Sequence, residues 1–383
     1  MDAAGLSNMR ASLFGACIIA LVPSSVFAQS SPPPTEVVER PHIAAAMKVA
    51  EVFSQPLHPV LKGVGIGGGF GGGLGYDFPR YRGWKTNIEA LATVNGFWSV
   101  EGIATYQRRR GTLEPYARVR DMPALRTFGP GPHSVAADRL DFGMRDASIG
   151  ARAEHRLTSW LALGGRIEQL WIDTDAAPSP LRFGRVHARA DFISPAGPVG
   201  ARYQGGKTRI GYGAYIDQQL DRYSFRRLDL ETKHRFTLFG PPRSLTLHGW
   251  LSTTDASAGQ DVPFFLQHTL GGKGHLRGVN EQILGSDGTE ATLRGFPSLR
   301  FRDRHLLLLQ AEYRLPVWGP IDATLFVDAG TVASRRRDLE WRNLRRSYGF
   351  SLGVMRAGDT VARMDVGFGG EGVQVILSAG RPF

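Results

Sequence analysis

Side chains of opposite character alternate along most of this chain, and this two-residue period constrains its fold more than any other feature. In the run Arg227–Leu238, apolar residues recur on one face and charged residues on the other. Successive side chains of a β-strand point to opposite faces of the sheet, so the run predicts a strand with one apolar and one charged face. The apolar positions are Leu228, Leu230, Phe236 and Leu238, and the charged ones are Arg227, Asp229, Glu231, Lys233 and Arg235.

The alternation recurs between Gly63 and Phe383, and many of the runs are long. A tilted transmembrane strand needs about 9–11 residues, whereas strands of soluble proteins most often have about 5–6. Tryptophan and tyrosine cluster near the ends of the runs, as in the aromatic girdles of outer-membrane proteins. Residues 63–383 therefore predict an all-β fold, a transmembrane antiparallel β-barrel of about 16 strands, with about 14 strands as the alternative.

The first 62 residues have a different character. Arg10 precedes an apolar run that begins at Leu13, and small residues up to Ala28 suit a signal peptidase, so residues 1–28 predict a secretory signal peptide. Residues 29–62 open with a proline-rich linker and continue with a short helical pattern. We interpret them as a periplasmic linker whose helix either tethers the barrel or packs in its mouth. The single cysteine, Cys17, lies in the signal, so we expect no disulfide.

Charge and motifs exclude several kinds of function. The formal net charge is +11, which is compatible with nucleic acid or anionic lipid as a partner. Because basic residues alternate with acidic ones along the strands, we expect most of them to pair inside a barrel lumen, and export disfavours nucleic acid. The chain has no GxSxG elbow and no HExxH motif, so we expect no catalytic residue, no metal and no cofactor.

Glycine dominates the opening of the predicted barrel, at Gly63–Gly75. No lysine follows as in a phosphate-binding loop, and no helical pattern follows either. A glycine-rich strand pairs loosely because glycine has no side chain to pack. We therefore interpret Gly65 and Gly75 as part of a weak seam between the first strand and the last, which ends in the aromatic Phe383.

Two acidic residues on neighbouring predicted strands face the same interior. The two-residue period places Glu312 and Asp328 on the inner faces of their strands. A buried pair of carboxylates is costly without a cation. Arg294, in the glycine-containing stretch Thr292–Phe301, could supply it. The alternative is that Arg294 lies in a solvated loop and Glu312 pairs with Arg314 or another lumen arginine.

Four motifs in a fixed order resemble the C-terminal barrel of the BamA-like surface antigen family, which includes outer-membrane protein insertases and two-partner secretion transporters. They are LGGKGHLRG at Leu270–Gly278, LRGFPSLRFRD at Leu293–Asp303, LLLLQAEYRLPV at Leu306–Val317 and LFVDAG at Leu325–Gly330. The resemblance implies a sixteen-stranded barrel whose long extracellular loop, residues 271–304, folds inward. It implies that Arg294, Gly295 and Phe296 form the loop tip, that Asp328 binds the tip arginine, and that Glu312 supports it. Arg277 and Gly278 form a rival tip.

The resemblance also implies a function without a chemical step. We expect an outer-membrane barrel of the insertase or translocase type that acts on protein or lipid through its lumen or its lateral seam. A passive pore or a structural barrel is the alternative, because the periplasmic polypeptide-binding repeats of the family do not fit before Gly63. The expected partners are outer-membrane lipid and lipopolysaccharide, with polypeptide cargo or a separate periplasmic chain as further candidates.

Overall fold

The computed structural model describes residues 55–175, 177–178, 183–184, 188–219, 221–238, 243–272, 291–356 and 359–379. The predicted signal peptide and linker helix lie outside these residues, as do Arg277, Gly278 and Phe383. Among the described residues, no helix is both long enough and apolar enough to cross a membrane.

Sixteen antiparallel strands form one continuous sheet, which confirms the predicted fold class of a transmembrane β-barrel. Each strand pairs with its neighbours in chain order, and the order begins with β1 and ends with β20. The strands are β1 (Leu57–Leu61), β2 (Gly71–Asp77), β3 (Trp84–Thr93), β4 (Trp98–Arg108), β5 (Gly111–Thr127), β6 (Leu140–Arg156), β7 (Leu161–Thr174), β10 (Ala188–Tyr203), β11 (Gly206–Asp217), β12 (Phe225–Thr237), β13 (Ser244–Ala256), β16 (His305–Trp318), β17 (Ile321–Ala333), β18 (Arg345–Arg356), β19 (Asp359–Gly369) and β20 (Gly372–Ala379).

The remaining regular elements lie in the connections between barrel strands. Two small hairpins pair β8 (Ala177–Pro178) with β9 (Phe183–Gly184), and β14 (His268–Leu270) with β15 (Phe301–Asp303). Short 3-10 helices within the described residues span Ala136–Asp138, Phe264–Leu266, Arg336–Asp338 and Trp341–Asn343.

The connections alternate between two ends of the barrel, because consecutive strands are antiparallel. We call one end the turn end: its connections include residues 109–110, 157–160, 204–205 and 319–320. We call the other the loop end: its connections include residues 128–139, 257–304 and 334–344. Outer-membrane barrels have short turns on the periplasmic side and long loops outside, so the loop end is the extracellular one.

The two faces of the sheet differ in the way that the alternation predicts. On β17, Leu325 and Val327 are 55% and 54% exposed on the outer face, while Phe326 and Asp328 are 2% and 0% exposed on the inner face. Exposed aliphatic side chains recur in this phase around the sheet, which gives a surface suited to lipid.

Apolar packing fills the lumen at the loop end. Inward residues of the strands, among them Met122, Phe142 and Phe192, form one cluster with Phe265 and Leu299 of the long connection 257–304. All five side chains are at most 2% exposed. The described parts of the long connection, residues 257–272 and 291–304, therefore lie inside the barrel, packed against its wall.

The first strands differ from the prediction of one glycine-rich opening strand. Residues 63–70 form a connection in which Gly65, Gly67 and Gly69 have positive φ angles, and only Gly71–Asp77 is a strand there. Three left-handed residues at alternate positions interrupt the extended backbone of a strand, so the placement of Gly65 in the opening strand was wrong. Leu57–Leu61, ahead of the expected barrel start at Gly63, is the strand that opens the sheet.

We expect Ile210→Arg to destabilise the barrel by about 2–4 kcal/mol, because a cation on the lipid face is most costly near the membrane midplane. Ile210 lies near the middle of β11 and is 50% exposed. The matched control is Val317→Arg, at the turn end of β16, where the cost falls to about 0–1 kcal/mol. Urea unfolding in lipid vesicles measures both, and equal costs would contradict the assigned outer face.

Candidate functional site

Backbone hydrogen bonds hold the tip of the long connection in a compact turn. Thr292 N–H donates to the Gly272 carbonyl at 2.9 Å, and Gly272 N–H donates to the Leu293 carbonyl at 3.0 Å. Gly271 N–H donates to Thr292 Oγ1 at 2.8 Å, and Phe296 N–H donates to the Leu293 carbonyl at 3.1 Å. This turn places Arg294, which lies between Leu293 and Phe296, against the inner wall.

Arg294 binds Asp328 of β17 through three donors. Its Nε and its backbone N–H each lie 3.0 Å from Asp328 Oδ2, and its Nη2 lies 2.6 Å from Oδ1. Arg294 is 2% exposed and Asp328 is fully buried. The paired donation from Nε and Nη2 is the fork geometry that only arginine provides.

Further ionic groups surround this pair, and we call the set the Arg294 cluster: Arg294, Glu312, Asp328, Arg363 and Asp365. Arg294 Nη1 donates to Glu312 Oε1 of β16 and lies 3.6 Å from Asp365 Oδ1 of β19. Arg363 bridges Glu312 at 2.9 Å and Asp365 at 2.8 Å. The cluster thus joins the loop tip to three strands of the wall.

Neutral donors supplement the two guanidinium groups, which face three carboxylates. Ser347 Oγ donates to Asp328 at 3.2 Å, and Ser351 Oγ donates to Asp365 at 2.5 Å. Gln310 Nε2 donates to Asp328 Oδ1 at 3.0 Å. Buried carboxylates need such partners because each unpaired charge in the interior costs several kcal/mol.

The surroundings of Arg294 favour its charged form. Its guanidinium carbon lies 3.6 Å from the centre of the Phe326 ring, a cation–π contact. Burial alone would lower the pKa of Arg294, but hydrogen bonds and charges from Asp328, Glu312 and Asp365 outweigh it and raise the pKa above its ordinary value. The arginine is therefore a permanent cation in this site.

A groove without side chains receives the tip next to the arginine. A Cβ on Gly295 would lie 2.5 Å from the Phe368 carbonyl oxygen, and one on Gly369 would lie 2.4 Å from the Gly295 oxygen. A Cβ on Gly367 would lie 2.4 Å from the Arg294 oxygen. Glycine at these three positions lets the loop backbone lie directly on the backbone of β19.

Phe296 completes the tip by packing into a second apolar cluster. It is 3% exposed and lies edge-on to Phe301, with ring centres 5.1 Å apart. The cluster also contains Trp250, Leu270, Leu293, Leu306, Leu308 and Val332.

A chain of polar contacts extends the site along the wall beyond the tip. His248 of β13 lies between Gln310 Oε1, 2.8 Å from its Nδ1, and Glu231 Oε1, 3.1 Å from its Nε2. Glu231 in turn pairs with Arg209 of β11 at 2.6 Å. Because Gln310 also binds Asp328, side chains from β11 to β17 are connected to the loop tip.

A second loop arginine, Arg300, fixes the connection at the loop end. Its Nε lies 2.9 and 2.7 Å from the two carboxylate oxygens of Glu371, in the turn between β19 and β20. Its Nη1 and Nη2 donate to the hydroxyl and the carbonyl of Ser134, at 2.7 and 2.6 Å. The arginine is 1% exposed. The loop is therefore attached both to the wall and to the last hairpin.

The structure brings together Arg294, Gly295, Phe296, Asp328 and Glu312 as the sequence predicts. Gly75 lies on β2, whereas the exposed Gly65 lies in the connection between β1 and β2, where a Cβ would lie 2.7 Å from Met122 Sδ. Arg314 pairs with Asp322 at 2.5 Å instead of Glu312. Two features were missed: the glycines of β19, signalled by the spacing in Val366–Gly370, and Arg300, whose partners no local pattern indicates.

A buried serine, histidine and aspartate lie together, but not in the order of a hydrolase. Ser252 Oγ donates to Asp229 and lies 2.7 Å from His268 Nε2. In a catalytic triad the imidazole lies between serine and carboxylate, whereas here the serine is central. All three side chains are at most 1% exposed. The arrangement is that of a packed polar core.

Comparison with known families and structures supports the fold. Residues 204–371 match the model of the Omp85 superfamily domain, and this segment contains the whole Arg294 cluster. No curated protein matches the sequence.

Two solved structures share the architecture. BamA from Haemophilus ducreyi lacking POTRA domains 1–3 superposes with a TM-score of 0.60 at 11% identity, covering 88% of this chain and 78% of that one. CdiB from Acinetobacter baumannii superposes with a TM-score of 0.50 at 10% identity, covering 78% of this chain and 52% of that one. The chain thus spans about half the length of CdiB, and both likenesses concern the fold.

We expect Arg294→Ala to lower the free energy of unfolding by about 3–5 kcal/mol, because it leaves buried carboxylates without their cation. Arg294→Lys keeps the charge but loses the fork, and should give an intermediate loss. The control is Arg336→Ala, which removes an exposed pair with Asp255 and should cost about 0–1 kcal/mol. Heat modification on gels measures all three, and a loss for Arg294→Ala no larger than the control's would contradict the role of the cluster.

Gly369→Ala should displace the loop tip, since the new methyl group would collide with the Gly295 carbonyl. Overpacking of this kind costs about 1–3 kcal/mol. Gly370→Ala is the matched control, because a Cβ there meets no atom within 4 Å. Limited proteolysis of the barrel in vesicles should cut the long connection faster in Gly369→Ala only, and equal rates in both variants would count against the groove.

Proposed function

We propose that this chain, a BamA-like outer-membrane β-barrel with an Omp85 superfamily domain, works as an insertase or translocase that passes protein segments through its lumen or its lateral seam. The proposal contains no chemical step: movement of strands and of the inward loop accounts for the activity. Polypeptide is the proposed cargo, and a separate periplasmic chain that delivers it is the proposed partner.

One observation carries the proposal: the loop is fastened inside the barrel next to the place where the sheet begins and ends. Within the described residues, the sheet begins with β1, of 5 residues, and ends with β20, of 8 residues, whereas β5 and β6 have 17 each. Short strands contribute few hydrogen bonds to a junction, so these ends of the sheet separate at lower cost than the opposite wall.

A passive pore receives less support from the same interior. Apolar clusters that contain Phe265, Leu299 and Phe296 occupy the loop end of the lumen. Arg294 and Arg300 fasten the loop at two points. An aqueous path through the lumen would form only if this packing were disrupted. The interior is therefore that of a gated barrel and not of an open pore.

Site-specific photocrosslinking in cells tests the proposal. A photoreactive amino acid at Leu74 of β2 or at Val375 of β20, which are 58% and 61% exposed, should capture polypeptide during envelope assembly. The matched control is Ile149 on β6, 56% exposed on the distant wall, where we expect lipid adducts and little protein. Equal protein capture at all three sites, or none at any, would refute a role of the seam in handling polypeptide.

A further inference from the structure

The net positive charge of the chain is unevenly distributed over the barrel. Several lumen arginines have acidic partners, as in Arg120 with Asp146 and Arg152 with Glu114, both at 2.6 Å. These pairs leave the excess of basic residues unexplained. Exposed basic side chains occur at both ends, and those of the turn end are Arg80, Arg82, Lys85, Arg108, Arg109, Arg110, Arg156, Arg202, Arg235 and Arg243.

Acidic side chains do not balance this basic surface. Among the described residues of the turn end, the nearby acids are not exposed: Asp77 and Glu154 are half-buried. Glu154 pairs with Arg156 at 3.4 Å. The three consecutive arginines 108–110 form no ion pair with any described residue.

The loop end provides an internal contrast. It also carries three consecutive arginines, Arg335, Arg336 and Arg337, but Arg336 pairs with Asp255 and the other two lie 3.9 Å from Asp338. Arg139 pairs with Asp141 at 2.7 Å at the same end. Exposed acidic side chains, among them Asp141, Asp255 and Asp261, thus accompany the exposed arginines of the loop end, whereas no acidic side chain whose burial is described at the turn end is exposed.

Exposed aromatic side chains place the basic surface at a definite depth. Tyr81, Trp160 and Trp318 are 67%, 55% and 75% exposed, and each lies in or beside a connection of the turn end. Aromatic girdles mark the level of lipid headgroups in outer-membrane barrels. The arginines in or beside the same connections, such as Arg82 and Arg156, therefore lie at the level of the phosphates.

We propose that the turn end binds anionic phospholipid headgroups of the membrane leaflet on that side, with Arg108, Arg109 and Arg110 as its centre. A guanidinium group can donate two parallel hydrogen bonds to a phosphodiester. Basic residues at a membrane surface also gain from the negative potential of anionic lipid. The surface selects phospholipid of net negative charge over zwitterionic phospholipid.

The arrangement of the cations favours a lipid surface over an acidic protein. They occupy five successive connections of the turn end, from residues 78–83 to residues 238–243, with one to three cations in or beside each. Such an arc follows the circumference of the barrel, where the membrane touches it. A docked protein domain would be matched by a compact patch, and it would not explain the aromatic residues beside the cations.

Lipid retention in nanodiscs tests the proposal with phosphatidylglycerol as the probe. The full-length barrel is placed in discs of mixed phosphatidylcholine and phosphatidylglycerol, and the lipids that remain bound are identified by native mass spectrometry. We expect wild type to retain phosphatidylglycerol preferentially at low salt and less so in high salt, which screens exposed charges. The variant R108Q/R109Q/R110Q should lose roughly tenfold of this preference.

The matched control is R335Q/R336Q/R337Q, which removes the same charge from the loop end and should keep the preference of wild type. Heat modification of each variant in phosphatidylcholine alone verifies that it is folded. Equal loss in the two triple variants would overturn the assignment to the turn end. If wild type shows no lipid preference but retains added poly-glutamate, and this retention depends on Arg108–Arg110, the proposal of a lipid ligand is overturned in favour of an acidic protein.

Discussion

The bond between the Arg294 guanidinium and the Asp328 carboxylate is the interaction on which the rest of this interior depends. Both groups are removed from water, so each would be costly without the other. Their pairing requires the loop to reach the inner wall, and the glycines of β19 allow its backbone to come close enough. The remaining donor of Arg294, Nη1, then pairs with Glu312 and Asp365, and Arg363 supplies Glu312 with a second cation. The position of the loop tip thus depends both on the Arg294–Asp328 ion pair and on the glycines of β19, which have no side chains.

The fold and the ionic part of the site could be predicted because they follow from local pattern. A period of two residues determines which side chains face inward, and Asp328 and Glu312 needed no further information. The first strand was mistaken since glycine occurs in left-handed turns, as at Gly65, as well as in loose strands. The groove at Gly367 and Gly369 was missed because the sequence does not show which backbone packs against these glycines.

Long-range contacts were the other limit of prediction. Arg300 lies in the same motif as Arg294, yet its partners Ser134 and Glu371 are 166 and 71 residues away in the chain. Strand alternation gives the direction of a side chain, but it does not give the neighbour that it meets across the lumen. The location of the net charge could not be predicted for the same reason. Composition gives the excess of cations, and only the three-dimensional structure shows that it lies at the turn end.

The attachment of the loop makes the two sides of the seam mechanically unequal. Within the described residues, the salt bridges of Arg294 and Arg300 run to β16, β17, β19 and the turn before β20. These salt bridges therefore hold the final strands and the described part of the loop together as one rigid unit. Strand β1, with its 5 residues, has no such brace among these contacts. If the seam of the proposed function opens, we therefore expect the first strands to move and the last hairpin to keep its position.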